Sequence, residues 1–150
     1  MKQQELEQRI EKYLKRQFGI TIQSASKRQV YEALMSTVRE KLSEKKFVYE
    51  QELKKTKQKR AYYMSMEFLV GRTLRNNLFN LGVEKEIKEY LAENNFDLDE
   101  IYDIEPDPGL GNGGLGRLAS CYLDALTSSD YPVTGFSILY EYGIFKQVIN

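Results

Sequence analysis

The sequence predicts an α/β chain in which a helical segment, residues 1–58, leads into the first strands and helices of an α/β core, residues 59–150. Three observations carry this expectation: apolar stripes at helical spacing up to about Lys57, an alternating segment from Tyr62 to Phe68, and a glycine run directly before an amphipathic stretch. With 41% apolar and 12% aromatic residues, and 22 basic residues balanced by 22 acidic ones, the chain can build a core and lacks the signature of a disordered chain.

The elements follow in order. Leu6, Ile10, Tyr13, Leu14 and Phe18 form one stripe that stops at Gly19, with Lys15 and Arg16 in the last turn, as a helix C-terminus prefers. Ser26-Lys-Arg-Gln29 is a capping box, and Val30, Leu34, Val38 and Leu42, with Tyr31 and Met35, begin a second helix. No glycine or proline interrupts it before Gly71, so it is expected to run to about Lys57. The basic run Lys54 to Arg60 then reads as cations at a helix end. The balanced charge and the lack of interleaved aromatic residues argue against nucleic acid as a partner.

A strand is expected near Ala61–Phe68, with Tyr62, Met64, Met66 and Phe68 on one face and Tyr63, Ser65 and Glu67 on the other. Helices follow at Leu74, Leu78 and Leu81, closed by Gly82, and at Ile87, Tyr90 and Leu91. Asp97 with Glu100 reads as a capping box opening a short helix. Val133–Tyr140 and Ile144–Ile149 read as strands around a turn at Glu141-Tyr-Gly143, and their open edge is expected to be prone to association.

Five of the ten glycines fall between Gly109 and Gly116. Glycine lets another group approach the main chain closely, at an entropic cost that a plain connector need not incur. Behind the run, Leu115, Leu118, Ala119, Tyr122, Leu123 and Leu126 have the spacing of a core-facing helix. The loop therefore ends at a helix N-terminus, where unpartnered amides and the positive dipole end suit an anion, most often phosphate. Two overlapping dinucleotide fingerprints occur here, yet the preceding Ile104-Glu-Pro-Asp-Pro108 is a poor central strand. No Gly-Lys-Ser/Thr follows, which excludes a Walker loop, while a flexible loop without ligand also fits the spacing.

Other constellations are thin. The absence of histidine excludes a Ser-His-Asp triad and histidine metal sites within these residues. Cys121 reads as a small buried hydrophobe. Asp103, Glu105 and Asp107 lack the spacing of a calcium loop. No stretch has the apolar length of a membrane span and the N-terminus is no signal peptide, so a cytoplasmic location is expected, with no membrane partner. Glu67, at the end of its strand, is explained by pattern alone as a solvated carboxylate pointing out of the apolar layer.

Arg60-Ala-Tyr-Tyr-Met-Ser-Met-Glu-Phe-Leu-Val-Gly-Arg-Thr-Leu74, then Gly109-Leu-Gly-Asn-Gly-Gly-Leu-Gly-Arg-Leu-Ala119, then Tyr140-Glu-Tyr-Gly-Ile-Phe-Lys-Gln147 resemble, in order and spacing, the N-terminal part of the α-glucan phosphorylases. That family includes the glycogen, starch and maltodextrin phosphorylases. The resemblance implies a truncated Rossmann-like N-terminal lobe of the GT-B glycosyltransferase type. It implies phosphorolysis of terminal α-1,4-glucosidic bonds to glucose 1-phosphate with retention, using pyridoxal phosphate through its own phosphate group. It places the backbone of Gly113, Gly114 and Leu115 against the substrate phosphate and glucosyl unit, Asn112 and Glu67 at the active-site rim, and Leu69 near the cofactor. Animal members carry an aromatic residue at the position of Leu69, so a microbial type of member is expected, without the animal nucleotide-activator pattern. Ser24 and Ser26 read as ordinary capping serines.

The resemblance also implies a homodimer, with α-1,4-glucan and inorganic phosphate as substrates. It further implies that the cofactor lysine and the C-terminal cofactor lobe lie beyond Asn150, so these 150 residues alone are expected to be inactive. The alternative is a non-catalytic module or gene remnant that pairs with a full-length phosphorylase.

Overall fold

A computed structural model describes residues 3–142 and 144. Along the chain run α1 (Gln3–Phe18), a 3₁₀ turn (Ile22–Ser24), α2 (Lys27–Thr56), β1 (Ala61–Met64), α3 (Leu74–Leu81), α4 (Glu84–Glu93), α5 (Leu98–Ile104), α6 (Gly114–Ser128) and β2 (Val133–Phe136). The chain divides into two compact units. One comprises Met1–Phe47 and Thr73–Pro106, the other Val48–Arg72 and Asp107–Asn150.

The first unit is helical, and its ends obey local chemistry. Gly19 ends α1 at φ 68°, and Gly82 ends α3 at φ 65°, the left-handed region where a Cβ is penalised. The capping box of α2 is reciprocal. Gln29 Oε1 accepts from the Ser26 amide at 2.9 Å, and Ser26 Oγ accepts from the Gln29 amide at 3.3 Å. Asp97 caps α5 by accepting from the Asp99 amide at 3.0 Å, whereas Glu100 turns to Lys27 at 2.8 Å. Leu6, Ile10, Leu14, Val30, Leu34, Leu74, Leu78, Ile87, Leu91 and Ile101 are buried together. Each such side chain contributes about 1.5–3 kcal/mol on burial. Arg9 on α1 meets Glu40 and Glu44 on α2 at 3.1 and 2.8 Å, a partly exposed network worth far less than the apolar cluster.

Thr73, at the start of α3, makes no side-chain cap of its own helix. Glu105 supplies the acceptor instead. Buried to 7% exposure, its Oε1 accepts from the Thr73 amide at 2.8 Å, and its Oε2 accepts from the Leu74 amide at 3.0 Å. A carboxylate here satisfies orphan amides and meets the positive end of the helix dipole.

The second unit contains a two-stranded parallel sheet, with Ala61 opposite Val133 and Met64 opposite Phe136. Parallel pairing requires a long crossover, and here the chain between the strands passes through four helices. The α/β class stands in this coarse form. Both strands are shorter than expected, four residues each. The Ser65 amide still donates to the Phe136 carbonyl at 3.0 Å, and beyond it the chain leaves the ladder: Ser65 Oγ donates to the Glu67 carbonyl at 2.8 Å, and the Phe68 amide donates to the Leu110 carbonyl at 2.8 Å. The third expected strand, Ile144–Ile149, lies outside the described residues except for Ile144.

Two expectations are corrected. The alternation along Tyr62–Phe68 is present, but Tyr62, Met64 and Met66 are the exposed set, while Tyr63, Ser65 and Glu67 are the more covered set. The covered set faces packing partners. Tyr63 meets Phe68 and Tyr122 edge-on, with ring centroids 5.8 and 6.3 Å apart. Cys121 is exposed, not buried. Helix α6 packs through the small residues Gly116, Ala119 and Ser120, which turns Leu115, Leu118, Cys121 and Tyr122 outward.

Replacing Glu105 by Ala is expected to lower the unfolding free energy by about 1–3 kcal/mol, because it leaves buried amides unpaired. Urea unfolding of the variant beside the parent chain measures this, and an unchanged midpoint would count against the cap.

Candidate functional site

The glycine run lies between Pro108 and α6, and each side of it has a different environment. Gly111 is buried against β1's continuation: a Cβ built on it would lie 2.6 Å from the Leu69 nitrogen and 2.7 Å from the Phe68 carbonyl carbon. Such contacts are with main chain and cannot be relieved by a rotamer. Only glycine permits this approach. The Phe68 amide bonds Leu110, and the Leu69 amide bonds the Gly116 carbonyl at 3.0 Å, so residues 68–69 and the loop are laced together through the backbone.

Glu67 is the centre of this arrangement. Its Oε2 accepts from the Asn112 amide at 3.1 Å and its Oε1 accepts from the Gly116 amide at 2.9 Å. Gly113 is the N-cap of α6, so Gly116 lies in the first turn, where the helix offers its amides no acceptor. A carboxylate therefore sits at the helix N-terminus, in the kind of position read from sequence as suited to a phosphate. The solvated strand end expected from pattern alone is corrected by this contact: Glu67 is half-buried and turned toward the loop.

Backbone amides hold the Glu67 carboxyl below its ordinary value of 4.5, that of Asn112 contributing most and that of Gly116 next; burial opposes them, and the Gly113 amide adds the smallest effect. A lowered folded-state value means that the clamp contributes stability above the ordinary carboxylate value. That stability is lost as pH falls through the lower folded value.

Gly113, Gly114, Leu115, Asn112, Glu67 and Leu69, the six positions singled out in the sequence, thus fall within one small region of the second unit. They differ in exposure. A Cβ on Gly114 would meet nothing within 4 Å, and Leu115 and Asn112 are exposed. Leu69 is half-buried, and its carbonyl accepts from Arg117 Nη1 at 3.4 Å. The sequence reading gave Arg117 no role. Its signal was its place directly after the last glycine of the run, in the first turn of α6, where a guanidinium can anchor the loop to the segment that follows β1. Among the described residues no group of three acidic or cysteine side chains is placed to hold a metal ion, and no helix is long and apolar enough to cross a membrane.

Gly111→Ala is expected to lower stability by roughly 1–3 kcal/mol through the forced backbone shift, whereas Gly114→Ala is expected to stay within about 0.5 kcal/mol of the parent. Thermal unfolding of the two variants distinguishes them, and equal melting points would contradict the close packing at Gly111. Amide hydrogen exchange at Asn112 and Gly116 should accelerate, relative to its intrinsic rate, as pH is lowered from above 4.5 through the Glu67 transition. Protection independent of pH across that window would contradict the clamp.

The model of the carbohydrate phosphorylase family matches residues 91–150. The chain is 46% identical over 127 residues to the glycogen phosphorylase of Chlamydia pneumoniae, covering 85% of this chain and 15% of that one. It is 44% identical over 126 residues to the liver form of glycogen phosphorylase from Homo sapiens, covering 84% and 15%. With α-glucan phosphorylase 1 of Arabidopsis thaliana it shares 52% identity over 92 residues, covering 61% and 10%. The chain spans about 15% of the length of the first of these relatives.

Proposed function

Because the chain belongs to the carbohydrate phosphorylase family, we propose that it is the N-terminal part of an α-glucan phosphorylase, a glycosyltransferase-type enzyme that releases glucose 1-phosphate from the ends of α-1,4-glucans. Its role in that reaction is to present the start of α6, Gly113, Gly114 and Leu115, to inorganic phosphate and the glucosyl unit, chiefly through the Gly114 and Leu115 amides, since the Gly113 amide already faces Glu67. The observation that carries this reading is the glycine run ending in the first turn of a fifteen-residue helix, with Gly114 open to its surroundings. Amides fixed in this way need no reorganisation when charge arrives, and the dipole end adds a favourable field.

The chain offers the rest of the reaction little. Pyridoxal phosphate, the family's cofactor, would contribute its own phosphate group beside the substrate phosphate. Leu69 could give it only an apolar contact, since the Leu69 amide is bonded to Gly116 and its carbonyl to Arg117. On this reading the lysine that attaches the cofactor belongs to another part of the enzyme. The 150 residues by themselves are then inactive, and the cytoplasmic enzyme is a homodimer. Expected substrates are glucan and phosphate, and nucleic acid and membrane are not expected partners.

A second reading, a non-catalytic module that pairs with a full-length phosphorylase, draws on one observation. Phe47, Val48 and Tyr49 near the end of α2 are exposed, Phe47 to 66%.

The test is Gly114→Val in the full-length protein, assayed with glycogen, pyridoxal phosphate and varied inorganic phosphate. The KM for phosphate should rise on the order of tenfold or more, with the melting point nearly unchanged. Normal phosphate affinity in that variant would overturn the assignment. The 150-residue chain alone should form no glucose 1-phosphate, and release from glycogen by that chain would contradict its proposed inactivity.

A further inference from the structure

The five glycines of the run divide by what their missing Cβ atoms would meet. A Cβ on Gly116 would lie 2.8 Å from Glu67 Cγ and 2.9 Å from its Cδ, and one on Gly113 would lie 3.1 Å from Glu67 Oε1. Gly111 faces the Phe68–Leu69 main chain. Gly114, between them, faces open space. Gly109, at φ 63°, would set a Cβ 3.1 Å from the Ile144 carbonyl oxygen. Four of the glycines therefore make room for residues of this chain, Gly113 and Gly116 for Glu67 itself, and one is open. The carboxylate they admit bridges two amides on either side of that open position, Asn112 and Gly116, at 3.1 and 2.9 Å. Both oxygens are used. Charge-assisted bonds of this kind are the stronger class, and two from one rigid group fix orientation as well as distance.

We propose that Glu67 is a positioning residue: by bridging Asn112 and Gly116 it sets the turn between them, so that the Gly114 and Leu115 amides face the phosphate. This rests on the phosphate role proposed above for those amides. The carboxylate does not touch the reacting atoms. It acts as a permanent internal anion on the inner side of the loop, so that the external anion is received on the outer side. A carboxamide cannot replace it, because its oxygen can accept from one amide while its NH₂ group opposes the other.

The experiment combines kinetics and amide exchange on Glu67→Gln in the full-length protein. Because a misplacement of about 1 Å can cost about a hundredfold, kcat/KM for inorganic phosphate is expected to fall roughly ten- to hundredfold, with KM for glycogen unchanged. Exchange at Asn112 and Gly116 is expected to speed up roughly tenfold or more, since the amides lose their acceptor. Gly116→Ala, which forces a methyl group against the Glu67 stem, is expected to reproduce both effects and serves if the first variant folds poorly. Unchanged phosphate kinetics with faster exchange would reduce Glu67 to a structural contact and overturn the proposal. A lower KM for phosphate would overturn it in another way, by making Glu67 a competitor that phosphate displaces. Should the parent protein show no phosphorolysis, the enzymatic reading fails, and the clamp still stands or falls on whether Glu67→Gln changes exchange at the two amides.

Discussion

The bridge from Glu67 to the amides of Asn112 and Gly116 is the constraint on which the second unit's site depends. It fixes where the glycine run ends and α6 begins, and it joins the run to the chain leaving β1. The backbone bonds at Phe68 and Leu69 reinforce the same junction. Helix N-termini attract anions in general. Here a carboxylate of the chain itself fills part of that capacity and so gives the remaining amides a defined direction.

The same device appears in the first unit for a different purpose. Glu105 reaches the start of α3 as Glu67 reaches the start of α6, and in both cases an acid distant in sequence replaces a local cap. The difference lies in what surrounds the helix end. Around α3 the carboxylate is buried and its amides point into the protein, so it only closes the fold. Around α6, Gly114 and Leu115 remain accessible. That contrast gives the α6 terminus, and not the α3 terminus, the physical attributes of a ligand site.

Much of this was legible in the sequence, and what was missed has a physical pattern. The α2 capping box, the glycines that close α1 and α3 and the Asp97 cap are local chemistry, and they appear as read. The apolar stripes of α1 to α4 also identify the first core, because large side chains at helical spacing have few other uses. In α6 the same rule misled. Of the expected stripe Ala119 is buried and Leu123 and Leu126 are half-buried, but Gly116 and Ser120, which a hydrophobicity pattern undervalues, complete the packed face, and Leu115, Leu118 and Tyr122 lie outward, as does Cys121. The inner face of β1 was inverted for a related reason: Tyr63 and Ser65 find partners that hydropathy does not rank. Glu105 was read as part of a rejected calcium loop, and its capping role depends on a contact some thirty residues back, beyond any local pattern. The glycine run and the Arg60–Leu74 block, read from sequence as parts of one candidate site, are hydrogen-bonded to each other in the structure. That Glu67 points inward to the loop was not legible, since a strand's alternation tells which face a residue is on and not what covers that face.

The most direct test of the account is a crystal structure of the full-length protein with inorganic phosphate bound. Phosphate oxygens are expected within hydrogen-bond distance of the Gly114 and Leu115 amides, with the Glu67 carboxylate still bridging Asn112 and Gly116. Phosphate bound away from the start of α6, or seated on the Asn112 and Gly116 amides with Glu67 swung aside, would contradict it.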